Sequence, residues 1–132
     1  MEIKLVLQPP DVGCCGQACC AMLTGMELED VCREFGHSHA SYTREMVSFL
    51  RRHGYDCPDG LVRLRKGEHI PDPSIVKMRI GDRADGHVVV FHDGVCYDPS
   101  LGMRLPSEYA GFDEYGRVRL TSCLPLKKAV GK

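Results

Sequence analysis

The segment that most restricts what this chain can become is His92-Asp93-Gly94-Val95, an Asp-Gly pair set between two strand-forming stretches. Asp-Gly at this position reads as a two-residue hairpin turn, because its twist matches that of the flanking strands. The turn also fixes a register: His92 faces Val95, Phe91 faces Cys96, Val90 faces Tyr97 and Val89 faces Asp98. Side chains alternate with period two, so His87 shares the face of Val89 and Asp98 while His92 points to the other. Diagonal neighbours of this kind sit about 7–8 Å apart at the backbone, close enough for an imidazole and a carboxylate to meet. A carboxylate on one ring nitrogen fixes the tautomer and supports the imidazolium, which frees the other nitrogen to take a proton from a nucleophile.

Upstream of the hairpin the pattern is helical. Ala18-Cys19-Cys20-Ala21-Met22-Leu23 is apolar on every face, as in a short helix buried all round, with its start near Cys15. Thr24-Gly25-Met26-Glu27 has capping-box spacing, and Leu28, Val31, Cys32 and Phe35 then form an amphipathic stripe that Gly36 ends. A third helix places Tyr42, Met46, Phe49 or Leu50, and His53 at helical spacing before Gly54. Beyond the turn-rich segment 56–60, strands are expected at 61–64, 74–80, 87–92, 95–98 and 117–120, with Lys127-Lys128 in a frayed tail. Helices first and strands later make an α+β fold of one domain spanning 1–132, the helical half about 14–54 and the sheet half about 61–122.

A nucleophile to match His87 must come from the helical half, and Cys15 is placed for it. The unpaired N–H groups and dipole of a helix start stabilise a thiolate, and a nearby imidazolium lowers its pKa further. Gly16 would let substrate approach. Gln8, on a loop stiffened by Pro9 and Pro10, can offer a side-chain N–H to a developing oxyanion beside the Cys15 backbone N–H. Cys14 and Cys19 are the rival nucleophiles.

Gln8, then Cys15-Gly16-Gln17-Ala18-Cys19-Cys20-Ala21-Met22, then Gly86-His87-Val88-Val89-Val90 and Asp98-Pro99 together resemble the bacteriocin-leader peptidases of the papain-like clan. The resemblance covers most of the chain. It implies a papain-like cysteine peptidase fold, with the N-terminal helical half packed on a C-terminal antiparallel sheet. It also implies Cys15 as nucleophile, His87 as base, Asp98 as its orienter and Gln8 in the oxyanion hole. The Gln8-to-Cys15 gap is one residue longer than that pattern, and Cys14 stands where the pattern has an acidic residue. The chain is more similar to compact stand-alone bacterial or phage forms than to transporter-fused ones.

The expected activity is that of a thiol hydrolase cleaving a peptide or isopeptide bond through an acyl-enzyme, with a peptide or protein as partner. The alternatives are glutamine deamidation on the same triad, or a catalytically inactive papain-like binding module. A zinc-stabilised interaction domain is a further reading, since Cys15 and Cys19 share a helix face and His37, His39 and His92 could add ligands. Its spacing is loose, so no metal or other cofactor is expected. Eight cysteines, four of them between positions 14 and 20, would suit a disulfide scaffold in a secreted protein, but Met1 to Leu7 has no signal-peptide features. Most of these thiols are therefore expected to be packing in a cytoplasmic protein. A formal net charge of -1 argues against nucleic acid, and no apolar run approaches the ~18 residues of a membrane span. Arg63-Leu64-Arg65-Lys66 reads as a solvated strand edge.

Overall fold

The computed structural model describes residues 1–9, 12–65, 68–80, 86–109, 111–113 and 116–129. Pro10 and Lys66 lie outside them. Three helices, α1 (Cys15–Thr24), α2 (Leu28–Phe35) and α3 (Thr43–Arg52), precede every described strand. The strands are β1 (Tyr55–Asp56), β2 (Val62–Arg63), β3 (Ser74–Ile80), β4 (His87–His92), β5 (Val95–Asp98), β6 (Gly102–Arg104), β7 (Gly111–Asp113), β8 (Gly116–Pro125) and β9 (Lys127–Lys128). The α+β class is therefore present, with a mostly antiparallel sheet ordered β2-β8-β3-β4-β5-β6 and β7 paired to β8.

The expected hairpin register holds at each recorded pair: Val90 faces Tyr97, Phe91 faces Cys96 and His92 faces Val95. Asp93 and Gly94 both take positive φ, at 52° and 79°, as this turn demands. The central strands β3 and β4 are buried on both faces, and alternate residues divide the core in two. Ile75, Val88, Val90 and Leu124 pack beneath the helices with Phe49, Leu50 and most of α1. Val76, Met78, Val89, Phe91, Cys96 and Cys123 pack on the opposite face with Tyr109. Fully burying a side chain such as Phe49 or Leu50 is worth about 1.5–3 kcal/mol, so the helix-side core anchors α1 firmly.

α1 is buried from Gly16 through Leu23, as an all-round apolar helix must be. The Tyr55 hydroxyl, itself buried, donates to the carbonyl of Leu23 at 2.7 Å and satisfies part of the helix C-terminus. α2 and α3 begin and end close to the expected positions, but two details differ. Thr24 does not cap α2; its hydroxyl bonds back to the carbonyl of Cys20 at 2.8 Å, because α1 still runs through it. Tyr42 is not on the buried stripe of α3. It precedes the helix and is exposed, its N–H donating to Glu45 Oε1 at 2.8 Å, and Val47 fills the inner face instead.

The sheet is also larger than the expected five strands. Lys127 and Lys128 are not frayed, because they pair with Asp56 and Tyr55 of β1 in a separate two-stranded sheet. β2 lies at one margin of the sheet against β8, with Arg63 exposed, which agrees with a solvated edge. No helix among the described residues is long and apolar enough to cross a membrane.

Candidate active site

His87 is the first residue of β4 and Asp98 the last of β5, and the hairpin brings them together. His87 Nε2 lies 2.6 Å from Asp98 Oδ1. The Asp98 carboxylate is fully buried, a position it can hold charged only if it is well supplied with donors. Oδ1 also accepts the N–H groups of Ser100 at 2.8 Å and Leu101 at 3.2 Å, and Oδ2 accepts the Tyr109 hydroxyl at 2.8 Å. Burial opposes the charge, but the bond to His87, its positive charge, and the Ser100 and Tyr109 donors together hold the carboxyl below the usual range.

With Nε2 committed to Asp98, Nδ1 is the ring nitrogen left for a nucleophile. The Cys15 thiol lies beside the His87 side chain, close enough for each group to shift the other's pKa. Burial by itself would raise the thiol pKa. The adjacent His87 imidazole and its charge, followed by the N–H groups of Val88 and Gly16, outweigh it and leave Cys15 below the ordinary thiol value. The same balance acts on His87: burial disfavours the imidazolium, while the bond to Asp98 and the adjacent Cys15 thiol carry its pKa up to about 9. A lowered thiol beside a raised imidazole favours the form with thiolate facing imidazolium.

α1 supplies the remaining polarity. Ala18 N–H makes the first helical bond, to Cys14 at 3.0 Å, so the N–H groups of Cys15, Gly16 and Gln17 have no acceptor within the helix. Cys14, at the N-cap, adds no side-chain cap. Gly16 also has a packing reason to be glycine. A Cβ there would lie 2.2 Å from Ser41 Oγ and 3.1 Å from Met46 Sδ, so the start of α1 is packed against the segment leading into α3. Gln17, fully buried, fastens that segment by donating from Nε2 to the carbonyl of His39 at 2.8 Å.

The two rival cysteines are placed otherwise. Cys19 is fully buried and its pKa is raised well above the ordinary thiol value by that burial. Cys14 is buried too, its free thiol beside that of Cys32 in α2, and burial followed by the neighbouring thiols raises its pKa. Gln8 is tied to the aspartate's turn, its N–H donating to the carbonyl of Pro99 at 2.9 Å. Its Oε1 is buried and has no hydrogen-bond partner among the described residues.

His37 and His39 stack on each other, ring centroids 4.1 Å apart, and His37 Nε2 lies 2.7 Å from Glu45 Oε2. Among the described residues there is no group of three or more His, Cys, Asp or Glu side chains able to hold a metal ion. Sequence reasoning passed over Tyr109 and Ser41. Tyr109 ends a four-residue 3-10 turn, Pro106–Tyr109, too short for any periodic signal. A clue was available in the chemistry: a buried aspartate with two oxygens needs more donors than one histidine provides.

No family model and no curated protein matches the chain by sequence, so what the site can do is read from its geometry.

Proposed function

We propose that this chain is a papain-like cysteine peptidase that cleaves a peptide or isopeptide bond through an acyl-enzyme. The observation that carries this reading is the bond from His87 to the buried, four-donor carboxylate of Asp98, with the Cys15 thiol beside the same imidazole. A cysteine-bearing helix packed on an antiparallel sheet that carries the histidine and its carboxylate supports the papain-like description of the fold.

In the reaction, the thiolate attacks the substrate carbonyl carbon while the thiol's proton rests on His87 Nδ1. The Cys15 backbone N–H, at the open start of α1, and the Gln8 side-chain amide stabilise the oxyanion. His87 then gives its proton to the departing amine, leaving a thioester on Cys15. Water, deprotonated by the now neutral ring, attacks the thioester and regenerates the thiol. Asp98 holds the ring in one tautomer throughout and supports its positive form.

The test is the pH dependence of iodoacetamide alkylation at each cysteine, read by peptide mass spectrometry in the native protein and in His87→Ala. Cys15 is expected to react fast well below the ~8.5 of a free thiol, and to lose that advantage in the variant. Alkylation of Cys15 no faster than that of Cys57 or Cys123 defeats the reading. Cleavage is then sought in a peptide library, where any product must vanish with Cys15→Ala.

A further inference from the structure

Asp98 is served unequally. Its Oδ1 takes three donors, from His87 and the Ser100 and Leu101 N–H groups, whereas its Oδ2 has the Tyr109 hydroxyl, 2.8 Å away. Tyr109 is buried and belongs to the core on the sheet face away from the helices, which fixes its ring through packing against its neighbours. We infer that Tyr109 is a positioning residue of the triad: its hydroxyl pins Asp98 Oδ2 so that Oδ1 is presented to His87 Nε2. This rests on the Cys15–His87–Asp98 reading proposed above.

The physical reason is the cost of the alternative. Without the hydroxyl, Oδ2 becomes a buried charged acceptor lacking a donor, a state that relaxes by turning the carboxylate or by protonating it. Either relaxation weakens the support that Asp98 gives the imidazolium, and through it the support that His87 gives the Cys15 thiolate. Cys96 and Arg104 are the other titratable groups acting on the Tyr109 hydroxyl, and neither supplies Oδ2 with a donor in its place.

Tyr109→Phe removes the hydroxyl and keeps the ring. Two readouts distinguish positioning from packing: the pH profile of Cys15 alkylation, and the far-downfield proton resonance of the His87–Asp98 bond. In the variant the acid limb of the profile should move to higher pH, slowing alkylation near pH 6 by about threefold or more, and the resonance should move or broaden. An unchanged profile and resonance, or a profile moved to lower pH, overturns the inference and leaves Tyr109 as core packing. Should Tyr109→Phe fail to fold, a ring-fluorinated tyrosine at 109 keeps the bond and alters its donor strength. It must displace the His87 resonance, and no displacement overturns the inference. If native Cys15 itself lacks fast alkylation at low pH, the triad reading has failed, a result distinct from a normal native profile that Tyr109→Phe does not move.

Discussion

Strand β4 begins and ends with a histidine, and each is paired with an aspartate at nearly the same distance: His87 with Asp98 at 2.6 Å, His92 with Asp72 at 2.7 Å. Hydrogen-bond length therefore does not separate a candidate catalytic pair from a structural one. Two other things do. The Asp98 side chain is wholly buried while that of Asp72 is 42% exposed, so only Asp98 acts on its histidine without screening by water. The free nitrogens also face different partners. His87 turns to a thiol, which can give up a proton, whereas His92 Nε2 faces the carbonyl of Met1 at 3.1 Å, which cannot. One pair can move a proton; the other clasps the N-terminal segment to the hairpin.

The comparison is put under the greatest strain by His87→Ala. A free thiol of pKa ~8.5 is only about 0.3% thiolate near pH 6, so losing the imidazolium that lowers the Cys15 pKa should slow its alkylation there by about tenfold or more, less what the more basic thiol regains in nucleophilicity. A smaller loss, within about threefold, means that the helix start alone sustains the thiolate and that the His87–Asp98 pair is as structural as the other.

Asp98→Asn sharpens the same point by keeping an acceptor for His87, Ser100 and Leu101 while deleting the charge. Alkylation near pH 6 should slow about tenfold, the equivalent of one pKa unit. Stability should respond as well. A histidine whose folded pKa is raised to about 9 contributes stability that is complete below its ordinary 6.5 and is lost as pH rises toward 9. The lowered Asp98 carboxyl acts at the other end, its contribution complete above its ordinary value of 3.8 and lost as acid protonates it. Cys15, with its lowered pKa, has the opposite slope on the alkaline side, so urea unfolding is best followed in Cys15→Ala. There the decline above pH 6.5 should persist, though reduced. It should vanish in Cys15→Ala/Asp98→Asn, and a decline of equal size in both proteins shows that Asp98 does not hold the His87 charge.

Much of this was legible from residues 87–98, because a two-residue turn converts sequence spacing into register without help from the rest of the fold. The preference for His87 over His92 followed from that alternation. What was not legible depends on contacts between distant segments. Tyr109 reaches Asp98 from a short turn with no periodicity, and Lys127-Lys128 finds β1 across more than 70 residues of chain. Gly16 is another such case, since the neighbour that requires a glycine, Ser41, comes from a loop whose path over α1 no local pattern states.

Gly16→Ala examines how the thiol is delivered to the first pair. The new Cβ meets Ser41 Oγ and Met46 Sδ too closely, and relieving such overpacking costs about 1–3 kcal/mol, measured as a lowered urea midpoint. Strain not relieved by rotation of the Ser41 and Met46 side chains shifts the start of α1, and Cys15 alkylation near pH 6 should then slow as well. Adding Ser41→Ala removes the offending oxygen and leaves the Ser41 Cβ at 3.5 Å, an ordinary contact, so the double variant should recover most of both losses. No recovery means that Met46, not Ser41, sets the position of the helix start.

The smallest effect is expected from the other end of the strand. Asp72→Asn removes the charge from an exposed pair, for which solvent screening leaves about 0–1 kcal/mol at stake. His92 keeps its second contact to the Met1 carbonyl, and the amide oxygen can still accept the Asp93 N–H that now donates to Asp72 Oδ2 at 2.9 Å. Its lowered pKa means that whatever stability the carboxylate gives is present above its ordinary 3.8 and lost in acid, so the variant should differ from the native protein near neutrality and converge with it at low pH. The Cys15 alkylation profile should superimpose on the native one. A profile that moves with Asp72→Asn breaks the comparison, because the two ends of β4 would then be coupled through the strand, and the clasp on the N-terminal segment would be reaching Cys15 by way of Gln8, the residue that this segment leads into.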